Sequence, residues 1–170
     1  MKVLIVSDTH GRERNLEKAL EKENPIDQLI HLGDVEGSED YIRAMTDVPV
    51  TIVAGNNDYY SDLPHEEILQ LGKYRVLATH GHYYYVNRGH ERLWEAAAEK
   101  GVDIVMYGHT HVPCLEQKNG VTVLNPGSLT LPRQQGYCPS YIVMETAQDG
   151  EAHYKICYLD GDKISWFMKK

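Results

Sequence analysis

Seven side chains of metal-ligand type lie in five short polar stretches: Asp8 and His10 in SDTHG, Asp34 in HLGDVEG, Asn56 in AGNND, His80 in THGH, and His109 with His111 in YGHTH. A D-x-H or H-x-H pair sets two side chains on one face of an extended segment, which suits chelation. Oxygen and imidazole donors without thiolate suit Mn²⁺, Fe²⁺, Ni²⁺, Co²⁺ or Zn²⁺ rather than a soft cluster. Taken singly, each stretch has a plainer explanation. Asp34 after Gly33 can close a turn or cap a helix, Asn56 after Gly55 can occupy a left-handed turn, and a lone histidine is more often packing than ligand. Those explanations must hold independently, whereas one dinuclear site accounts for all seven residues together. His31, His65, His90 and His153 gain nothing from the pattern and are read as structural.

Each stretch follows an apolar run that reads as a strand, and the carboxyl ends of strands are where open α/β sheets place their sites. Strands are expected over 2–7, 28–32 and 49–53, with helices over 14–23 and 38–45 between them, the second with Ser38 at its cap. That alternation is the pattern of a parallel sheet with right-handed connections. After Pro64 the rhythm changes. Residues 66–71 and 74–79 flank Gly72 and Lys73 as a hairpin would, and a helix from 89 or 90 to about 100 stops at Gly101. Runs over 103–107, 112–117, 121–125, 141–146, 152–159 and 163–167 then alternate with turns at 119/120, 148–150 and 160/161. Six further strands need a second sheet, so two sheets packed face to face with helices outside is the economical architecture.

A chain of 170 residues fits a single domain, 1–170, with room for a sizeable core. At 42% apolar and 25% charged residues it is ordinary globular composition. No apolar run approaches the roughly 18 residues of a spanning helix, and MKVLIVSDTHG turns polar too soon for a signal peptide, so no membrane and a cytoplasmic setting are expected. Cys114, Cys138 and Cys157 are widely spaced and odd in number, as reduced structural cysteines are. Twenty-five acids against 17 bases give a net charge of −8, which repels polyanions and disfavours nonspecific nucleic-acid binding. A small phosphorylated ligand is still attracted where metal ions add positive charge locally. A homo-oligomer is left open.

SDTHG, GDVEG, GNND, THGH and GHTH, in this order, resemble the five signature motifs of the calcineurin-like metallophosphoesterases. Their spacing and the later NPGS, residues 125–128, are similar to the small YfcE-type phosphodiesterase branch, and the likeness runs from residue 2 to about 146. It implies a four-layer α/β/β/α sandwich of two packed mixed sheets flanked by helices. It also implies that Asp8, His10 and His111 hold one metal and Asn56, His80 and His109 the other, with Asp34 bridging. Two divalent transition ions, manganese foremost, would leave the pocket net positive, because only Asp8 and Asp34 among the seven carry charge. The implied reaction is in-line attack of a metal-bridging hydroxide on phosphorus in a small phosphate diester.

One departure from the family pattern bears on the substrate: where the common GNHE or GNHD motif has a histidine beside the leaving group, this chain has Asn57. An amide cannot supply a catalytic proton, so alkoxide leaving groups should suffer more than activated aryl ones. His82 is the substitute acid on offer, and Asp58 reads as an acceptor that fixes a loop. Tyr59, Tyr60, Tyr83, Tyr84 and Tyr85 follow metal motifs, where they can wall a cleft or simply pack. Arg12, Arg88 and Arg133 are the cations available to phosphate oxygens, with Arg133 best placed after the NPGS turn that Gly127 and Ser128 shape. The readings left are a phosphodiesterase, a monoesterase or cyclic-nucleotide enzyme on the same site, and a noncatalytic scaffold like the retromer subunit that shares the fold.

Overall fold

The computed structural model describes residues 1–159 and the backbone of Ser165–Trp166. In β1 (Lys2–Val6) the four residues Val3 to Val6 are all buried, as in a strand covered on both faces. Val3 and Ile5 enter one apolar cluster while Leu4 and Val6 enter another, which is the two-residue period of a strand serving two layers. Around β1 lie α1 (Arg14–Glu23), β2 (Gln28–His31), α2 (Glu39–Ala44) and β3 (Val50–Ile52). The chain then forms β4 (Glu66–Leu71), β5 (Tyr74–Thr79), α3 (Glu91–Lys100), β6 (Ile104–Met106), β7 (Pro113–Lys118) and β8 (Val121–Pro126). It ends with β9 (Ser140–Thr146), β10 (Ala152–Tyr158) and β11 (Ser165–Trp166).

A six-stranded sheet has the order β11-β10-β9-β1-β2-β3, and a five-stranded sheet the order β4-β5-β6-β8-β7. Both are mixed: β1, β2 and β3 are parallel and β9 and β10 antiparallel, while β5, β6 and β8 are parallel with antiparallel partners at each edge. Val3, Ile5 and Ile30 meet Val76, Ile104, Met106 and Leu124 between the sheets. On the outer face of the first sheet Leu4, Val6 and Leu29 pack with Leu16, Ala19 and Leu20 of α1 and Ile42 of α2. Leu93, Ala96 and Ala97 of α3 cover Leu77, Val105 and Val123 on the outer face of the second. The four-layer α/β/β/α sandwich is therefore the one expected.

Three details differ from expectation. Ser38 occupies the cap position of α2, but its hydroxyl makes no cap bond; it donates to Glu13 Oε1 at 2.6 Å and to the Val35 carbonyl at 2.7 Å. The stretch before α3 forms 3₁₀ turns at His82–Tyr84 and Val86–Arg88, joined through Tyr85 at a φ of 53°. Of the strand expected over 163–167, Ser165–Trp166 pairs with β10, while 163, 164, 167 and the turn at 160/161 lie outside the described residues. Among the described residues no helix is long and apolar enough to cross a membrane.

Candidate metal centre

The parallel strands β1, β2 and β3 of one sheet end at Asp8 and His10, Asp34 and Asn56, and β5 and β6 of the other end at His80, His109 and His111. The two sets face each other where the sheets' carboxyl edges meet. Five of these residues leave their strands through left-handed backbone: Asp8 at φ 57°, His10 at 50°, Asp34 at 57°, His109 at 68° and His111 at 58°. Each such conformation costs a non-glycine residue about 1–3 kcal/mol and persists only where the surroundings fix it. Close approach is also built in, since a Cβ on Gly108 would strike the Ser7 hydroxyl and lie 3.0 Å from Asp8 Oδ2.

The donors converge through one repeated device. His111 Nδ1 lies 2.6 Å from the Leu131 carbonyl, His80 Nδ1 2.6 Å from the Leu32 carbonyl, and His10 Nδ1 2.7 Å from Glu36 Oε1. Carbonyls and carboxylates only accept, so these partners assign the proton of each neutral ring to Nδ1 and leave a lone pair on Nε2. All three Nε2 atoms point inward. His111 Nε2 is 3.0 Å from Asp8 Oδ1 and 3.4 Å from His10 Nε2, and His10 Nε2 is 3.9 Å from both Asp8 Oδ1 and Asp34 Oδ2. His80 Nε2 is 3.6 Å from Asp34 Oδ2 and 3.1 Å from Asn56 Oδ1. Asp8 Oδ1 is buried without a hydrogen-bond partner.

Acceptors crowded against acceptors in a buried place favour a cation among them. One ligand atom from each of Asp8, His10, Asp34 and His111 lies within 4.8 Å of the others, so a divalent ion fits this donor set. Without a metal a proton does part of that work. Burial pushes the His111 imidazole down, but its contact with Asp8 outweighs burial and raises it; burial likewise pushes Asp8 up, and His111 and His80 bring it below its ordinary value. His109 stands further out: its ring is 5.2 Å from that of His80, and its Nε2 meets the Asn87 amide at 2.8 Å.

Several partners of these donors escape sequence reasoning because they act over long separations. Asn57 donates from its backbone to Asp34 Oδ1 at 2.8 Å and from its side chain to Asp34 Oδ2 at 2.7 Å, so the residue that replaces the family histidine grips the central carboxylate. Asp58 accepts from the backbone of Asp34, Gly55 and Glu36, the loop-fixing role read for it. In the NPGS turn Asn125 donates to the Gly108 carbonyl, and Ser128 donates to the Asp8 carbonyl while accepting from Thr130 and Leu131.

The residues read more loosely scatter. His82 Nδ1 is buried without a partner and the ring lies tilted by 39° against Tyr83, 4.0 Å between centres; burial, then His80 and His109, push the imidazole down to about 4. Arg133 is exposed, with its backbone N–H on the His111 carbonyl. Arg12 and Arg88 are exposed, the latter 5.8 Å from the Tyr85 ring centre. Tyr84 bonds Glu66 at 2.6 Å, whereas Tyr59, Tyr60, Tyr83 and Tyr85 are exposed. His31 is wholly buried between Thr9 and the Gly33 backbone, and burial takes it down to about 4, a neutral structural residue. His90 joins Tyr107 Oη at 2.6 Å to Glu116 at 3.1 Å.

The chain is similar to known proteins in sequence and in fold. The chain is 35% identical over 150 residues to the probable metallophosphoesterase YsnB of Bacillus subtilis, covering 88% of this chain and 86% of that protein. It is 32% identical over 158 residues to the phosphodiesterase YfcE of Escherichia coli, covering 78% and 82%. Among solved structures, Vps29 of Entamoeba histolytica complexed with Zn²⁺ superposes with a TM-score of 0.81 at 25% identity, covering 97% and 96%. The model of the calcineurin-like phosphoesterase superfamily domain matches residues 1–149, and the chain belongs to that superfamily of metal-dependent phosphoesterases.

Proposed function

We propose that the protein is a phosphodiesterase whose centre holds two divalent ions. The observation that carries this is the inward set of Nε2 lone pairs on His10, His80 and His111 around Asp8 and Asp34, with each far nitrogen already engaged. Asp8, His10 and His111 would hold one ion and Asn56, His80 and His109 the other, with Asp34 shared. When bound, such a pair offsets charge on the phosphoryl oxygens and makes hydroxide available near neutral pH. Asn57 holds both oxygens of Asp34 and fixes its plane. Arg133, exposed beside His111, is free to meet a phosphate oxygen. His82 is neutral at pH 7 and offers a leaving oxygen at most an N–H, which suits leaving groups that need little protonation. Free thiols at Cys114 and Cys157 agree with a reducing compartment such as the cytoplasm.

The test is hydrolysis of bis(p-nitrophenyl) phosphate by purified protein. Activity is expected with added Mn²⁺, is lost in chelator, and falls below about a thousandth in Asp34→Ala, because both ions lose a shared ligand. Turnover that survives both the chelator and the substitution would overturn the mechanism. Rates on a monoester, a linear diester and a cyclic diester separate the diesterase from its rivals on the same site. The likeness to Vps29 supports a second reading, a protein-binding scaffold. Retention of all seven ligand types weighs against a scaffold alone, and stoichiometric partner capture without hydrolysis under any metal would favour it.

A further inference from the structure

On the outer face of the second sheet three donors of different kinds meet. Leu115 of β7 packs against the core between the sheets, so the flanking Cys114 and Glu116 point to the opposite face, where α3 and Tyr107 lie. His90, the residue that precedes α3, completes the group. Its Nδ1 is 3.1 Å from Glu116 Oε2, and Cys114 Sγ is 3.6 Å from Glu116 Oε1. One ligand atom from each of the three lies within 4.8 Å of the others. Tetrahedral zinc, with bonds of about 2.3 Å to sulfur and about 2.05 Å to nitrogen and oxygen, sets nitrogen about 3.4 Å from oxygen and sulfur about 3.6 Å from either. The spacings here are close to those. Behind the donors Tyr107, 1% exposed, places its hydroxyl 2.6 Å from His90 Nε2. A hydroxyl both donates and accepts, so His90 can turn an Nδ1 lone pair to a metal while its Nε2–H donates to Tyr107, the kind of far partner that metal-ligating histidines have. One thiolate and one carboxylate also match the charge of a single divalent ion. Glu116 is exposed and His90 and Cys114 half-buried, which leaves a fourth position open to water.

We propose that His90, Cys114 and Glu116 bind a single Zn²⁺ ion, with water as the fourth ligand, and that this ion ties the edge strand β7 to the start of α3. Thiolate, imidazole and carboxylate together suit zinc rather than manganese. The site does not rest on the phosphodiesterase reading, and none of the seven donors of the candidate metal centre is a thiol. That difference supplies the probe. Cobalt(II), titrated into the metal-free protein under a phosphine reductant, gives a near-ultraviolet sulfur-to-cobalt charge-transfer band only where it binds a thiolate. One equivalent of cobalt is expected to develop that band, and Zn²⁺ to bleach it. The band is expected to persist in Asp34→Ala and in Cys138→Ser and to vanish in Cys114→Ser, with circular dichroism confirming that the fold is kept. Glu116 is exposed, so Glu116→Ala tests the site without disturbing packing, and it is expected to weaken cobalt binding by about tenfold or more, as is His90→Gln. Saturation with cobalt without such a band overturns the proposal. So does a band that survives Cys114→Ser or disappears in Cys138→Ser, or a cobalt affinity unchanged in Glu116→Ala.

Discussion

Asn57 carries the clearest consequence at the scale of single residues. A family position associated with proton donation is here occupied by an amide that binds both oxygens of Asp34, at 2.8 and 2.7 Å. Groups that orient a metal ligand typically contribute 10–100-fold in affinity or activity. Asn57→Ala is therefore expected to weaken Mn²⁺ binding by about 10–100-fold, measured by titration of metal-free protein, and to lower turnover at fixed Mn²⁺ in parallel. Unchanged affinity would mean that Asp34 needs no such support. Gly108 gives a steric counterpart. A methyl there collides with the Ser7 hydroxyl beside Asp8, so Gly108→Ala is expected to displace the Asp8 carboxylate and abolish metal-dependent heat stabilisation. Both cases mark the limit of the sequence. Residue types and order were enough to nominate the seven donors. Which atom meets Asp34 from 23 residues away, or that Glu36 holds His10 across 26, depends on where strand ends arrive in space.

At the scale of elements, the carboxyl end of α1 is pinned to the sheet by one buried carboxylate. Lys2 reaches Glu23 Oε2 at 2.9 Å and Tyr141 donates to Glu23 Oε1 at 2.7 Å, tying α1 to β1 and β9. Burial pushes the Glu23 carboxyl up, but bonds from Lys2 and Tyr141 outweigh it and hold the group below its ordinary value of 4.5. A carboxyl lowered on folding adds stability above its unfolded value, and that stability is lost as pH falls through the folded one. Glu23→Gln is thus expected to cost about 1–2 kcal/mol at pH 7 in urea unfolding, with the gap from the parent protein closing as pH drops below 4.5. A gap that stays constant into acid would show that packing, not charge, holds the helix end. The helix itself was legible, since Leu16, Ala19 and Leu20 recur at helical spacing. So were β1 and the hairpin of β4 and β5. The 3₁₀ turns at His82–Tyr84 and Val86–Arg88 were not, because they follow from a left-handed Tyr85 and the fit of Val86 against α3, neither of which has a local signature.

The molecule as a whole is two sheets whose inner faces share one core and whose carboxyl edges share one set of donors. Counting strands revealed the need for two sheets. Their order was hidden, because β9 returns beside β1, and β8 inserts between β6 and β7, through contacts no short window contains. That topology makes the donor set a cross-link: Asp8, His10 and Asp34 hang from one sheet and His80 and His111 from the other. An ion bound there must be released before the sheets can separate, so metal affinity appears as folding stability. At a hundredfold excess over its dissociation constant, a single site adds about 2.7 kcal/mol. For a chain of this size that is roughly a 5–10 °C rise in Tm. Differential scanning of metal-free protein with and without Mn²⁺ is expected to show that rise, with chelator reversing it and Asp34→Ala abolishing it. The same rise is expected in Tyr60→Leu, whose side chain is fully exposed and not between the sheets. A Tm indifferent to Mn²⁺ in the parent protein would mean that the crowded lone pairs tolerate one another without a cation, which the unpartnered Asp8 Oδ1 and its neighbours 3.0–3.9 Å away argue against.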